Sequence, residues 1–109
     1  MDKEYRVRYT DEAVNDLDLI FGYIADHNVV AAQGLLDRIE HRIRLLRSNP
    51  YMGAPLPDNA ISMVERGYRY LVVEPYVLFY RVLNQEIVVG RILHSRQDWL
   101  HLVFDFGLK

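Results

Sequence analysis

Four histidines, His27, His41, His94 and His101, fall on four separate stretches of the chain, so none has the spacing of a metal-binding pair. The sequence contains no cysteine, no glycine-rich phosphate loop and no Gly-x-Ser-x-Gly nucleophile turn. Neither a metal nor another cofactor is expected. The arginines carry more information. Arg66, Arg69, Arg81, Arg91 and Arg96 all lie in the second half of the chain, whereas the first 27 residues are distinctly acidic. Planar guanidinium groups grip carboxylates and phosphates at two points, so arginines mounted on a sheet suit an acidic polypeptide or a phosphate backbone. Metal-free RNA cleavage needs a base for the 2′-hydroxyl proton, an acid for the leaving oxygen and cations for the phosphorane. His94 with Arg81 and Arg69 is the candidate catalytic set for that chemistry, with Arg96 as a further cation and Tyr80 as a helper. For protein binding the candidates are Arg81, Arg96 and Trp99.

Charge limits both possibilities. With 13 Lys and Arg against 15 Asp and Glu, the 109-residue chain has a net charge of -2, and its only lysines, Lys3 and Lys109, sit at the ends. Attraction to nucleic acid grows with the number of phosphates that cations can neutralise, so any contact with RNA or DNA must be local. A chain of this length supports one core, and a 50% hydrophobic composition supports folding, so residues 1–109 are expected to form a single domain. A charged start and the lack of a long apolar run predict a soluble, cytoplasmic protein with no membrane partner.

Several elements must position these residues. Tyr5 to Tyr9 alternates apolar and basic side chains in the manner of a half-buried strand. Thr10 then offers an N-cap, Asp11 and Glu12 suit the positive end of a helix dipole, and Ala13, Leu17, Ile20, Phe21 and Ile24 recur at helical spacing. The Asp26-His27-Asn28 cluster ends that helix. A second helix over about Val30–Arg47 carries Leu35, Leu36, Ile39, Ile43 and Leu46 on one stripe, and Glu40 and Arg44 have the order of a favourable ion pair. The short link makes the two an antiparallel hairpin.

From Asn49 to Glu65, Pro50, Gly53, Pro55 and Pro57 predict a long loop. Three strands are expected at Tyr68–Glu74, Tyr76–Leu83 and Glu86–Leu93, with turns at Glu74-Pro75 and Asn84-Gln85. A two-residue second turn places Tyr76, Leu78, Tyr80, Val82, Ile87, Val89, Arg91 and Leu93 on one face, under the helices. Val77, Phe79, Arg81, Val88, Gly90, Ile92 and His94 then share an open face. Arg91 is the exception on the core side and must reach for an edge. Ser95-Arg96-Gln97-Asp98 has the form of a capping box and introduces a short C-terminal helix or docked tail around Trp99. The expected fold is α+β: an N-terminal strand and a helical hairpin packed on a mainly antiparallel four-stranded sheet.

These stretches, in this order, resemble the RelE/ParE superfamily of toxins from bacterial type II toxin–antitoxin modules. Tyr5 to Tyr9 with Ala13, Asp16, Leu17 and Tyr23-Ile24 is similar to the first strand and helix of the family. Ile43, Leu46, Asn49-Pro50 and Gly53 are similar to the end of its second helix and the loop that follows. Arg69, Leu71, Tyr76 and Leu78-Phe79-Tyr80-Arg81-Val82 resemble its paired strands, and Ile92-Leu93-His94-Ser95-Arg96-Gln97-Asp98 its closing signature. The closing signature and Phe79-Tyr80-Arg81 lie nearer the ParE branch. That resemblance implies growth arrest through binding of DNA gyrase and neutralisation by a cognate antitoxin in a hetero-oligomer. The RelE branch implies instead a ribosome-dependent mRNA endoribonuclease, for which His94 matches a catalytic position of some members. A third possibility is a toxin fold that serves only as an inactive interaction module.

Overall fold

The computed structural model describes residues 4–56 and 67–95. In chain order the elements are β1 (Arg6–Tyr9), α1 (Asp11–Ala25), α2 (Val29–Ser48), β2 (Ala54–Pro55), β3 (Arg69–Val73), β4 (Tyr76–Leu83) and β5 (Glu86–His94). Thr10 caps α1 as expected: its hydroxyl oxygen accepts from the Ala13 N–H at 3.1 Å, and its O–H donates to the Gly90 carbonyl of β5 at 2.8 Å. One side chain thus starts the helix and ties it to the sheet. Asn28 starts α2 in the same way, accepting from the Ala31 N–H at 3.0 Å.

The sheet order is β1-β5-β4-β3-β2. β1 runs parallel to β5, and the remaining pairs are antiparallel. The sheet has five strands where four are expected, because Ala54 and Pro55 in the proline-rich loop pair with Tyr70 and Arg69. Pro55 is tolerated because β2 is an edge, where a missing N–H interrupts no ladder. Asn84 and Gln85 make the two-residue turn, with Asn84 at φ 55, a left-handed conformation that asparagine accepts more readily than most residues.

The core lies between sheet and hairpin. Leu35, Ile39, Ile43 and Leu46 of α2 and Ala13 of α1 cluster with Leu71, Val73, Tyr76, Leu78, Tyr80, Ile87, Val89 and Ile92. Ile92 replaces the expected Leu93 because the β4–β5 ladder contains a bulge. Tyr80 pairs with Val89 but Phe79 pairs with Arg91, so Gly90 is an extra residue. One inserted residue inverts every later side chain. Ile92 and His94 therefore lie on the helix side.

The opposite face also departs from expectation. Val77, Phe79, Val88 and Leu93 are each less than a tenth exposed, which makes this face a second apolar layer and not an open surface of cations. Among the described residues no helix is long and apolar enough to cross a membrane.

Candidate functional site

Arg81 and His94, expected to share a face, do not. Arg81 follows the core residue Tyr80 and projects to the far face, where its guanidinium lies 5.2 Å from the centre of the Tyr68 ring. His94 pairs across the ladder with Tyr76, and the two rings meet edge to face at 5.3 Å on the helix side. The cause is the Gly90 bulge.

Arg69 is elsewhere again. It pairs with Tyr80, four residues along β4 from the partner of His94, a separation of roughly 13 Å at the rise of a strand. Its Nε donates to the Gly53 carbonyl and its Nη2 to the Tyr51 carbonyl, both at 3.0 Å, while the guanidinium stacks 5.3 Å from the Tyr51 ring. Arg69 holds the loop after α2. Tyr80 serves the same loop: its O–H donates to the Pro50 carbonyl at 2.8 Å, and its oxygen accepts from the Gly53 N–H at 2.9 Å. Burial raises the Tyr80 phenol above its ordinary value of 10.0, outweighing the lowering by the Gly53 N–H and Arg69. Gly53 is required there, since a Cβ would sit 2.6 Å from both the Tyr70 carbonyl oxygen and the Tyr80 hydroxyl. The catalytic set of His94, Arg81 and Arg69 is therefore not assembled in one place. Arg66, Arg96, Trp99 and the expected C-terminal helix or tail lie outside the described residues.

The structure does assemble a different cluster, at the far end of β5. Beyond Val89 this strand has lost its β1 neighbour, and α1 closes the exposed edge. The Asp16 carboxylate takes the Arg91 guanidinium at two points, Nε to Oδ2 at 2.8 Å and Nη2 to Oδ1 at 3.1 Å. It also accepts the Ile92 backbone N–H at 2.9 Å. Asp16 is only 8% exposed, and its side chain holds the Arg91 guanidinium above its ordinary pKa. Arg91 reaches an edge, but not from the core side as expected: beyond the Gly90 bulge it pairs with Phe79 of the far face, and its partner Asp16 is one that the sequence reading missed. The available signal was an arginine among apolar strand residues with an aspartate on the helix that follows β1.

This ion pair forms one wall of a cleft of about 430 Å³ that also contains Leu19, Ile20 and Tyr23 of α1 and Tyr76 and His94 of the sheet. Leu19 and Tyr23 stand 65% and 71% exposed, four residues apart on one helix face. Burial and the neighbouring Tyr23 raise the Tyr76 phenol above its usual range. An apolar, aromatic cleft with a fixed ion pair along one wall has the makings of a protein contact. Among the described residues no group of three or more His, Cys, Asp or Glu is placed to hold a metal.

The fold matches a chain of the chromosomal ParDE toxin–antitoxin system of P. aeruginosa with a TM-score of 0.64 and 26% identity, over 84% of this chain and 96% of that one. It also matches the toxin–antitoxin complex RelBE2 of Mycobacterium tuberculosis with a TM-score of 0.58, over 84% and 98%, at a 24% identity that supports the fold alone. In sequence, the chain is 31% identical over 94 residues to Toxin ParE3 of Caulobacter vibrioides, covering 85% of this chain and 89% of that protein. Residues 7–99 match the family described as the ParE toxin of the type II toxin–antitoxin system parDE. With the strand, hairpin and sheet in the same order, the chain belongs to the ParE toxin family of type II toxin–antitoxin systems.

Proposed function

We propose that this toxin arrests growth by binding DNA gyrase through protein contacts, without cleaving nucleic acid, and that a cognate antitoxin neutralises it in the cytoplasm. The observation that carries this reading is the dispersal of His94, Arg81 and Arg69 over two faces and two ends of the sheet. A phosphoryl-transfer site needs its acid, base and cations around one reacting phosphate. The net charge of -2 supports the same reading, since few cations are available to gather an RNA backbone. Membership of the ParE family and 31% identity to Toxin ParE3 support it further. The apolar cleft of Leu19, Ile20, Tyr23, Tyr76 and His94 is the surface best suited to a protein target.

The test is induced expression in bacteria, with and without the neighbouring reading frame. Growth arrest relieved by the neighbour, with cellular messages of normal length, is expected. Arrest accompanied by messages cut at ribosome-bound codons, and abolished by His94→Ala, would replace this reading with a ribosome-dependent endoribonuclease. Harmless overexpression would point to an inactive interaction module.

A further inference from the structure

The outer edge of β3 meets two kinds of neighbour. β2 covers only its first part, where Ala54 and Pro55 pair with Tyr70 and Arg69 and the Leu56 N–H donates to the Tyr68 carbonyl at 2.9 Å. Beyond Tyr70 no strand lies outside β3 among the described residues. By the alternation of a strand, the outward backbone groups there are those of Val72 and Glu74, in step with Tyr68. Side chains of α2 take both carbonyls. Arg42 Nη1 donates to the Val72 carbonyl at 3.2 Å, and Arg38 Nη2 donates to the Glu74 carbonyl at 3.1 Å.

The repeats of helix and strand explain how one helix face serves two successive outward carbonyls. Four residues of a helix rise about 6 Å, and two residues of a strand about 6.7 Å. Arg42 meets Val72, and Arg38, one turn earlier on α2, meets Glu74, two residues later on β3. The next position of the series, Leu46, is fully buried in the core, and at Tyr70 the edge passes to β2.

The two arginines are not drawn there by carboxylates. Asp37, which lines the same cleft of about 430 Å³, accepts from Gln33 Nε2 at 3.1 Å, and neither Arg38 nor Arg42 forms an ion pair among the described residues. What they cover is a β-branched stretch of edge strand, with Val72 39% exposed and its N–H directed outward. An edge of that kind is a template for a further strand.

We infer that Arg38 and Arg42 form a strap that keeps the β3 edge shut against a second copy of this chain. They act in two ways. Their guanidinium groups fill the acceptors that an incoming strand must use. Antiparallel pairing of this edge with its own copy would also bring four guanidinium groups to one seam, where like charges repel. The repulsion is strongest against the identical edge, which is the strand that matches this one in length and side chains. The inference holds whatever target the toxin binds.

The experiment measures the mass of the full-length protein by sedimentation equilibrium over a range of concentrations, together with amide exchange at Val72. The wild type is expected to stay monomeric, with exchange at Val72 independent of concentration. Arg38→Ala with Arg42→Ala should self-associate at least about tenfold more tightly and slow that exchange as concentration rises. Arg42→Ala alone should fall between the two, and it supplies the same readout if the double variant does not fold. Adding Val72→Pro should restore the monomer, since proline at this outward position removes the edge donor without interrupting the β3–β4 ladder. An alanine variant that remains monomeric overturns the inference. Association that survives Val72→Pro places the contact elsewhere and overturns it too, as does a wild type that already pairs through Val72.

Discussion

Replacing Asp16 with alanine removes three hydrogen bonds at once, and the geometry sets the size of the loss. Arg91 loses a two-point partner at 2.8 and 3.1 Å, and the Ile92 N–H loses an acceptor at 2.9 Å on a strand edge that β1 does not reach. An orphaned backbone donor costs about 1–3 kcal/mol, and breaking a fully buried ion pair about 3–5 kcal/mol. The side chains of Arg91 and Asp16 retain 20% and 10% of their exposure, so water partly rescues the guanidinium. A total near 3 kcal/mol follows, roughly a 10–20 °C fall in melting temperature for a domain of this size. Asp16→Asn keeps one acceptor for Ile92 and should cost about half as much. Urea denaturation of wild type, Asp16→Ala, Arg91→Met and the double variant closes a thermodynamic cycle, with a coupling of at least about 1.5 kcal/mol expected. A loss below about 1 kcal/mol for Asp16→Ala, or a coupling within about 0.5 kcal/mol of zero, would refute the claim that this cluster fastens α1 to the end of β5.

Other expectations follow from the same contacts. Gly53→Ala should destabilise by about 2–3 kcal/mol in the same denaturation assay, because the new methyl meets a backbone carbonyl and the Tyr80 hydroxyl at 2.6 Å. Wild-type stability on that axis would mean that the loop shifts freely. Burial raises the phenols of Tyr9, Tyr76 and Tyr80 above 10.0. The unfolded chain therefore releases these protons first, so stability is unaffected below pH 10 and falls as pH rises through the higher folded values. Denaturation midpoints measured alongside tyrosinate absorbance should show this loss, and Tyr80→Phe should reduce it. Leu19→Ala with Tyr23→Ala removes exposed side chains from the α1–β5 cleft, so the unfolding free energy should move by less than about 1 kcal/mol while affinity for the protein target falls at least about tenfold. Unchanged affinity would remove the cleft from the binding surface.

The local chemistry of the chain was legible in its sequence. Thr10 caps the helix it precedes, the Asp26-His27-Asn28 cluster ends that helix, and Asn84 sits in the two-residue turn with its φ positive. The stripe of Leu35, Ile39, Ile43 and Leu46 faces the sheet as its spacing requires. What stayed hidden was decided by tertiary contact. A glycine in a strand is compatible with a regular ladder or with a bulge, and Gly90 makes a bulge, which carries His94 away from the face of Arg81. That single residue separates the candidate site read from periodicity from the one the structure forms. Ala54 and Pro55 form a strand only because Tyr70 and Arg69 lie beside them, and no local propensity marks such a pairing. Asp16 and Arg91 are 75 positions apart, so only the packing of α1 against β5 brings them together.

The proposed action of this ParE-family toxin is contact with a protein and not cleavage of nucleic acid. Its most direct test is supercoiling of relaxed plasmid by purified gyrase in the presence of the purified toxin. Loss of supercoiling in proportion to toxin, reversed by adding the product of the neighbouring reading frame, is the expected result. Unaltered supercoiling at toxin concentrations well above those of gyrase, with no enzyme–DNA adduct formed, would contradict the account.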